Sequence, residues 1–376
     1  MARSVGIDFL RGISVVLVVL HHINLRFDIN QFEVGTLLPA AAGQVVFWSG
    51  YFSVITFFVI SGFLITGLSL RRWPGPRKGS LDRISLQQFY SLRFARIVPC
   101  LLLLVALLSV LHLAQAQGFV INPQRSSLGR ALLAALTFHI NWLEGHHGYL
   151  PGCWDILWSL SIEEVFYLLF PLVCLCCRNE RWLVIPLLFL VVIGPLSRTA
   201  LAGQEPWDEY AYLSCTDGIA FGCLAALAAA RLRLAPSASR LLMALGTSAV
   251  LLIVVFRGFA LPSWLHTMGL GISVLELGIA LLLIALAQGI GATVLTKGTS
   301  AIRMVGRSSY EIYLTHMLVI LGLMPVIVET KPQTSMIWAW YAALLLLSVA
   351  LGWVVSKVYS EPLNKALRGT LLARGG

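Results

Sequence analysis

Residues 45–70 read VVFWSGYFSVITFFVISGFLITGLSL, twenty-six residues without one Asp, Glu, Lys, Arg or His. A helix of that length rises about 39 Å, more than the ~30 Å hydrocarbon core of a bilayer, and it has no charged face to turn toward water. The stretch is a membrane span, and the rest of the chain agrees. Of its 376 residues 58% are hydrophobic and 12% charged, with a mean hydropathy of +0.84; a soluble domain has ~45–50% apolar and ~25% charged residues. A soluble enzyme is excluded. The net charge of +10 would point to nucleic acid in a soluble protein. Here it reads as the basic cytoplasmic loops that set membrane topology, so the expected surroundings are a lipid bilayer and no nucleic acid.

Spans of about 20 residues are expected at 8–27, 45–70, 97–116, 157–177, 182–197, 212–230, 241–256, 267–288, 309–328 and 336–356. The fold class is therefore an all-α polytopic membrane protein with about ten transmembrane helices. Placing the N-terminus inside puts 21 of the 27 basic residues inside and leaves Arg26, Arg125, Arg130, Arg198, Arg257 and Lys331 outside. That asymmetry selects an N-in, C-in orientation. The apolar segment 130–142 is too short to cross and is expected to be an outer re-entrant or interfacial helix. A crossing there would put the basic clusters at 178–181, 231–240 and 297–307 outside.

The run 13–20 resembles a signal h-region but lacks a small-x-small cleavage site, so it is read as a retained first helix. With no tandem repeat, low-complexity segment or soluble insertion, residues 1–376 are expected to form one integral membrane domain. The seven cysteines fall mostly inside apolar runs and show no metal-ligand spacing. No metal site and no disulfide framework are expected, although Cys153 and Cys215 could both lie near the outer face.

Ionisable residues inside a bilayer cost at least ~2.5–3.5 kcal/mol and are candidate functional groups by default. They are Asp8, Arg11, His21 and His22 in the first span, Glu163 and Glu164 in the fourth, Asp217 in the sixth, Glu276 in the eighth, and Glu311 and His316 in the ninth. Arg11 and His22 are eleven residues apart, which returns to the same helix face with ~20° of drift, and Asp8 lies about one turn before Arg11. A neutral imidazole at that depth can take a proton from a hydroxyl; the alternative is a buried histidine satisfied by a helix carbonyl. His21 points ~80° away and reads as structural. Ser159, Glu163 and Tyr167 share a face at i, i+4, i+8. Glu163 could hold the imidazole in one tautomer, as the carboxylate of a catalytic triad does, or be an interfacial glutamate. Arg93 and Arg96, three apart at the expected opening of the third span, could clamp phosphates together with Arg71 and Arg72, or simply anchor the helix ends.

Together these pieces resemble the acyltransferase-3 family of integral membrane O-acyltransferases. The family's Arg-x10-His signature is similar to Arg11 through His22. Its second-helix signature resembles Phe57-Phe58-Val59-Ile60-Ser61-Gly62-Phe63-Leu64-Ile65-Thr66. Arg93-x-x-Arg96-Ile97-x-Pro99 resembles its basic third-helix entry, and Trp158-Ser159-Leu160-Ser161-Ile162-Glu163-Glu164-Val165-Phe166-Tyr167 its Trp-Ser-Leu-x-x-Glu-Glu-x-Phe-Tyr stretch. Near the C-terminus, Ser309-Tyr310-Glu311-Ile312-Tyr313-Leu314-Thr315-His316 and Glu361-Pro362 resemble its remaining marks.

The resemblance implies transfer of an acyl group, commonly acetyl, from cytoplasmic acetyl-CoA or another acyl-CoA to a hydroxyl of a carbohydrate acceptor. By that analogy His22 is the base, Arg11 supports the site and Arg93 and Arg96 help hold the donor phosphates. Asn141, Trp142, Trp158, Tyr313 and His316 are the expected acceptor-binding residues, with His146, His147 and Trp154 as further outer-loop candidates. Many relatives carry a fused extracytoplasmic domain. This chain ends soon after Glu361, so transfer is expected to be direct or to involve separate glycan-assembly proteins. The Arg-heavy basic composition, 22 Arg against 5 Lys, points to a GC-rich bacterium and hence to the bacterial cytoplasmic membrane. The rival reading is a multi-pass transporter or flippase for a glycan or small anion, with the buried charges as its pathway; a third is a non-catalytic assembly subunit.

Overall fold

A computed structural model describes residues 4–27, 39–73, 80–256, 263–330 and 336–373. Arg3, Arg77, Lys78, Arg257, Lys331 and Arg374, all counted in the orientation argument, lie outside the described residues. Among the described residues there is no strand, only an isolated bridge between Ser80 and Asn179, and ten helices are long and apolar enough to cross a membrane. Each of the ten expected spans overlaps one of them.

The elements run α1 (Val5–Arg26), α2 (Ala40–Phe47), α3 (Gly50–Arg72), α4 (Leu86–Leu113), α5 (Leu128–Leu136), α6 (Ile140–His147), α7 (Gly152–Asp155), α8 (Leu157–Cys177), α9 (Glu180–Ala200) and α10 (Trp207–Tyr210). They continue with α11 (Tyr212–Arg231), α12 (Pro236–Phe256), α13 (Ser263–Thr267), α14 (Leu270–Ala287), α15 (Ala292–Thr296), α16 (Ser300–Arg307), α17 (Ser309–Thr330), α18 (Ile337–Val355) and α19 (Glu361–Ala373).

Three boundaries differ from the sequence expectation, each for a local reason. The run 45–70 is not one helix: it breaks at Trp48 and Ser49 between α2 and α3. The carbonyl of Phe47 accepts from His21 Nδ1 at 3.1 Å, so a side chain takes the place of the next backbone N–H. The third span starts at Leu86 rather than Ile97, because Ser85 caps it by accepting from the Gln88 N–H at 3.3 Å. Arg93 and Arg96 therefore sit inside α4 and not at its mouth. The last span continues past Ser356 through a π-helical turn, Ser356–Ser360, into α19. Pro362 lacks an N–H and its ring crowds the carbonyl four residues back, which widens the helix at that turn.

The chain divides into two compact units. The first takes residues 1–10, 54–90 and 162–300. In it α11 packs against α9 and α14, and α14 against α12. The closest approach is reciprocal: a Cβ on Gly62 of α3 would overlap the Ile219 carbonyl of α11, and a Cβ on Gly222 of α11 would overlap the Val59 carbonyl of α3. Small residues that let backbones touch supply much of the packing where lipid removes the hydrophobic drive. The second unit takes 11–53, 91–161 and 301–376. In it α18 and α7 pack on α17, and α6 packs on α5 and α7. The short apolar segment 130–142 falls in two short helices, α5 and α6, separated by Phe138 at φ 58°. α5 buries Ala131, Ala134 and Ala135 and exposes Leu133 and Leu136, the pattern of a helix lying in an interface. All seven cysteines are free thiols.

Candidate active site

The second unit gathers its polar groups along α17. From its first turn upward, α17 presents Ser309, Glu311, Tyr313 and His316, and each meets a different partner.

Ser309 Oγ accepts from Arg11 Nε at 3.1 Å, and one face further along His316 Nε2 lies 3.2 Å from His22 Nδ1. Arg11 to His22 spans ~16 Å of helix and Ser309 to His316 ~10 Å. Both pairs climb in the same chain direction, so α1 and α17 run parallel. Parallel first and ninth spans require an even number of crossings from one to the next. A crossing by 130–142 would have made them antiparallel, so this geometry supports the ten-span count independently of charge.

The hydrogen bonds fix which ring nitrogen carries a proton. His316 Nδ1 is 2.7 Å from the Tyr313 carbonyl, and a carbonyl only accepts, so Nδ1 is the protonated nitrogen of a neutral His316 and Nε2 is a lone pair. His22 Nδ1 faces two acceptors, the Val18 carbonyl at 2.9 Å and His316 Nε2 at 3.2 Å. Its proton therefore sits on Nδ1. The lone pair of neutral His22 is on Nε2, and the residue is half-buried. His21 instead bonds Phe47 and stacks edge-on against Trp48, with centroids 5.9 Å apart.

Glu311 is fully buried and accepts from Arg96 Nη1 at 3.3 Å. The Arg96 guanidinium also lies 5.4 Å from the centre of the Tyr310 ring, whose hydroxyl donates to the Ile97 carbonyl at 2.8 Å. Arg96 and Arg93 are both half-buried. Tyr313 donates to the Ile156 carbonyl at 3.0 Å, which leaves its oxygen to accept from Ser159 at 2.8 Å. These contacts tie α17 to the start of α8. Of the other expected acceptor-binding residues, Trp158 is buried and stacked on Tyr51 at 6.2 Å, Asn141 is buried, and Trp142 is exposed with the His146 ring 4.2 Å away.

Four expected site residues belong to the first unit. Asp8 is buried in the first turn of α1, where its charge complements the helix N-terminus. Glu163 accepts from Ser61 Oγ at 2.6 Å, next to the Gly62 contact. Arg71 and Arg72 end α3 exposed, with Arg72 5.8 Å from the Trp73 ring. Among the described residues no three His, Cys, Asp or Glu side chains cluster as metal ligands.

A family model described as an acyltransferase domain matches residues 4–357. The chain belongs to the acyltransferase-3 family. Peptidoglycan O-acetyltransferase OatA of Listeria monocytogenes is 28% identical over 358 residues, which cover 87% of this chain and 51% of that protein. O-acetyltransferase OatA of Staphylococcus aureus is 29% identical over 174 residues, 45% of this chain and 24% of the relative. The chain thus spans about half the length of the first of these relatives and less of the second. No solved structure matches it.

Within this acyltransferase-3 chain the motif residues form two structural sets. Arg11, His22, Arg96, Tyr313 and His316 are linked in one unit through α17, and Ser61 and Glu163 are linked in the other. The sequence reading missed Ser309 and the Arg96 partner role of Glu311. Ser309, Tyr313 and His316 recur at i, i+4 and i+7, the spacing of one helix face, and that was the available signal. Arg198, counted among the outside charges, is buried in the last turn of α9. It donates to both Asp217 oxygens at 3.1 and 2.7 Å, to Ser273 Oγ at 2.7 Å, to the Gly269 carbonyl at 3.0 Å and to the Ser214 carbonyl. Those bonds use all five guanidinium N–H groups, so Asp217 belongs to a saturated ion pair.

Proposed function

We propose that the protein transfers an acetyl group from a coenzyme A thioester to a hydroxyl of a cell-envelope carbohydrate, with His22 Nε2 as the base. The observation that carries this is the hydrogen-bonded tautomer of His22, which leaves the one lone pair of its ring on the nitrogen that bonds no protein group among the described residues. The name of the Listeria relative supports peptidoglycan as the acceptor class. Membership in an acyltransferase family favours transfer over transport.

In the proposed reaction the acceptor O–H gives its proton to His22 Nε2 as its oxygen bonds the thioester carbon. The tetrahedral intermediate then expels the coenzyme A sulfur, breaking the C–S bond, and the thiolate takes the proton back from the imidazolium. Arg11 holds α17 through Ser309. Arg93 and Arg96 are assigned to the anionic donor, and Asn141, Trp142, Trp158 and Tyr313 to the acceptor. The basic-residue asymmetry supports a donor side in the cytoplasm of a bacterial cell, and the ~16 Å rise from Arg11 to His22 supports a base nearer the opposite face.

The test uses sealed, oriented proteoliposomes. Radiolabelled acetyl-CoA on the basic, cytoplasmic-type face should acetylate peptidoglycan glycan strands on the other side and release coenzyme A on the side of supply. Transfer only when both substrates share one compartment would remove the cross-membrane arrangement, and absence of transfer in any arrangement would remove the reaction.

A further inference from the structure

We infer that His316 is the positioning residue of the base, not a group that binds the acceptor. The inference rests on the transfer reaction proposed above and assigns within it the role that sequence suggested for Glu163.

The geometry runs through three hydrogen bonds. The Tyr313 carbonyl, 2.7 Å away, holds the His316 proton on Nδ1 and turns its Nε2 lone pair toward His22 Nδ1 at 3.2 Å. The Val18 carbonyl, 2.9 Å from the same His22 nitrogen, holds the ring from its own helix. The two rings are tilted at 59° with centroids 4.9 Å apart, and His316 is fully buried. With Nδ1 pinned by two acceptors, His22 cannot flip to the tautomer that would place its proton on Nε2.

The arrangement also suits the charged intermediate. When His22 takes the acceptor proton on Nε2, its Nδ1–H becomes a cationic donor facing a neutral lone pair, and the bond to His316 becomes charge-assisted. A carboxylate in that position would give more stabilisation but would bring a second charge into the membrane. A neutral imidazole held in one tautomer by a backbone carbonyl avoids that cost. The residues around the pair are consistent with a neutral role: His21 and Arg26 are the other titratable groups that face His22. Since His316 Nδ1 is taken by a carbonyl and Nε2 by His22, neither nitrogen is left for an acceptor sugar.

The test compares three substitutions in the full chain in nanodiscs, with radiolabelled acetyl-CoA and peptidoglycan glycan strands. His316→Leu should lower kcat about 100-fold, within the range of general-base effects, with the KM values for donor and strands unchanged. His316→Gln puts an amide oxygen near the place of Nε2 and should recover kcat to within about tenfold. His316→Asn puts it near the place of Nδ1 and should behave like Leu. If the Leu variant does not fold, the contrast between Gln and Asn decides. Unchanged kcat, a loss confined to the KM for the strands, or equal behaviour of Gln and Asn would overturn the assignment. A wild-type protein active under these conditions and inactivated by His22→Ala separates those outcomes from failure of the reaction itself, which would remove the role of His316 with it.

Discussion

Arg96 Nη1 lies 3.3 Å from Glu311 Oε1, and the carboxylate is fully buried while a quarter of the arginine side chain, 26%, is exposed. Among the described residues the second oxygen of Glu311 has no hydrogen-bond partner, so Arg96 is its main compensation. The arginine is also the residue proposed to meet the donor, and its exposed edge is what a phosphate could reach.

Arg96→Gln should therefore do two things. It should destabilise the protein by about 2–3 kcal/mol, because one half of a largely buried pair is removed, and it should weaken coenzyme A binding. Arg93→Gln should also weaken coenzyme A binding. Adding Glu311→Gln to Arg96→Gln should restore most of the stability and none of the affinity. Thermal unfolding in detergent and calorimetric titration with coenzyme A separate the two effects. A stable Arg96→Gln variant would show that Glu311 does not depend on it.

His22→Ala should abolish acyl transfer while the protein still inserts, a loss of about 100-fold or more. His21→Ala should retain much more activity. Its hydrogen bond to the Phe47 carbonyl holds the junction of α2 and α3, so its loss should appear as about 1 kcal/mol of stability. Initial rates and unfolding midpoints of the two variants give the check. A reversal would move the base to His21.

The first unit offers a sharper stability contrast. Arg198 is compensated by Asp217, and the buried carboxyl of Glu276 in α14 lies beside Asp217. Removing the cation leaves two acids facing each other, whereas removing one acid leaves the cation still balanced. Arg198→Met should cost about 3–5 kcal/mol, Asp217→Asn clearly less, and Glu276→Gln least of all. Equal losses would mean that hydrogen-bond geometry, not charge balance, sets the stability of this cluster.

The parts of this picture legible in sequence are those carried by one helix. Span length and hydropathy locate the ten helices, and the eleven-residue step from Arg11 to His22 is read from helix period alone. What joins helices is not legible. His22 and His316 are 294 positions apart, and no local pattern says that two histidines on separate spans share a hydrogen bond. The burial of Arg198 is not legible because the apolar run ends at Ser197, while the helix continues to Ala200 with its last arginine satisfied by a neighbouring span. The break at Trp48 was invisible for the same reason, since the group that interrupts the backbone ladder is the His21 side chain from α1.

Glu144 gives a test of the short helices α5 and α6 by pH. It lies in α6, outside the spanning helices, and is fully buried, with its Oε1 accepting from the Leu150 N–H at 2.9 Å. Burial pushes its carboxyl well above the usual carboxylate range, and the neighbouring Asp155 pushes it further. The folded protein therefore keeps a proton on Glu144 at pH values where the unfolded chain, with a pKa of ~4.3, has lost it. Stability falls with pH wherever the folded state binds more protons, so this group makes the protein progressively less stable as pH rises above ~4.3 until the folded carboxyl also ionises. Glu144→Gln keeps an oxygen for the Leu150 N–H and has no proton to lose. Its unfolding midpoint should exceed that of the wild type at pH 8, and the difference should shrink toward pH 4. A wild-type advantage at pH 8, or a difference that does not change with pH, would mean that Glu144 is ionised in the folded protein.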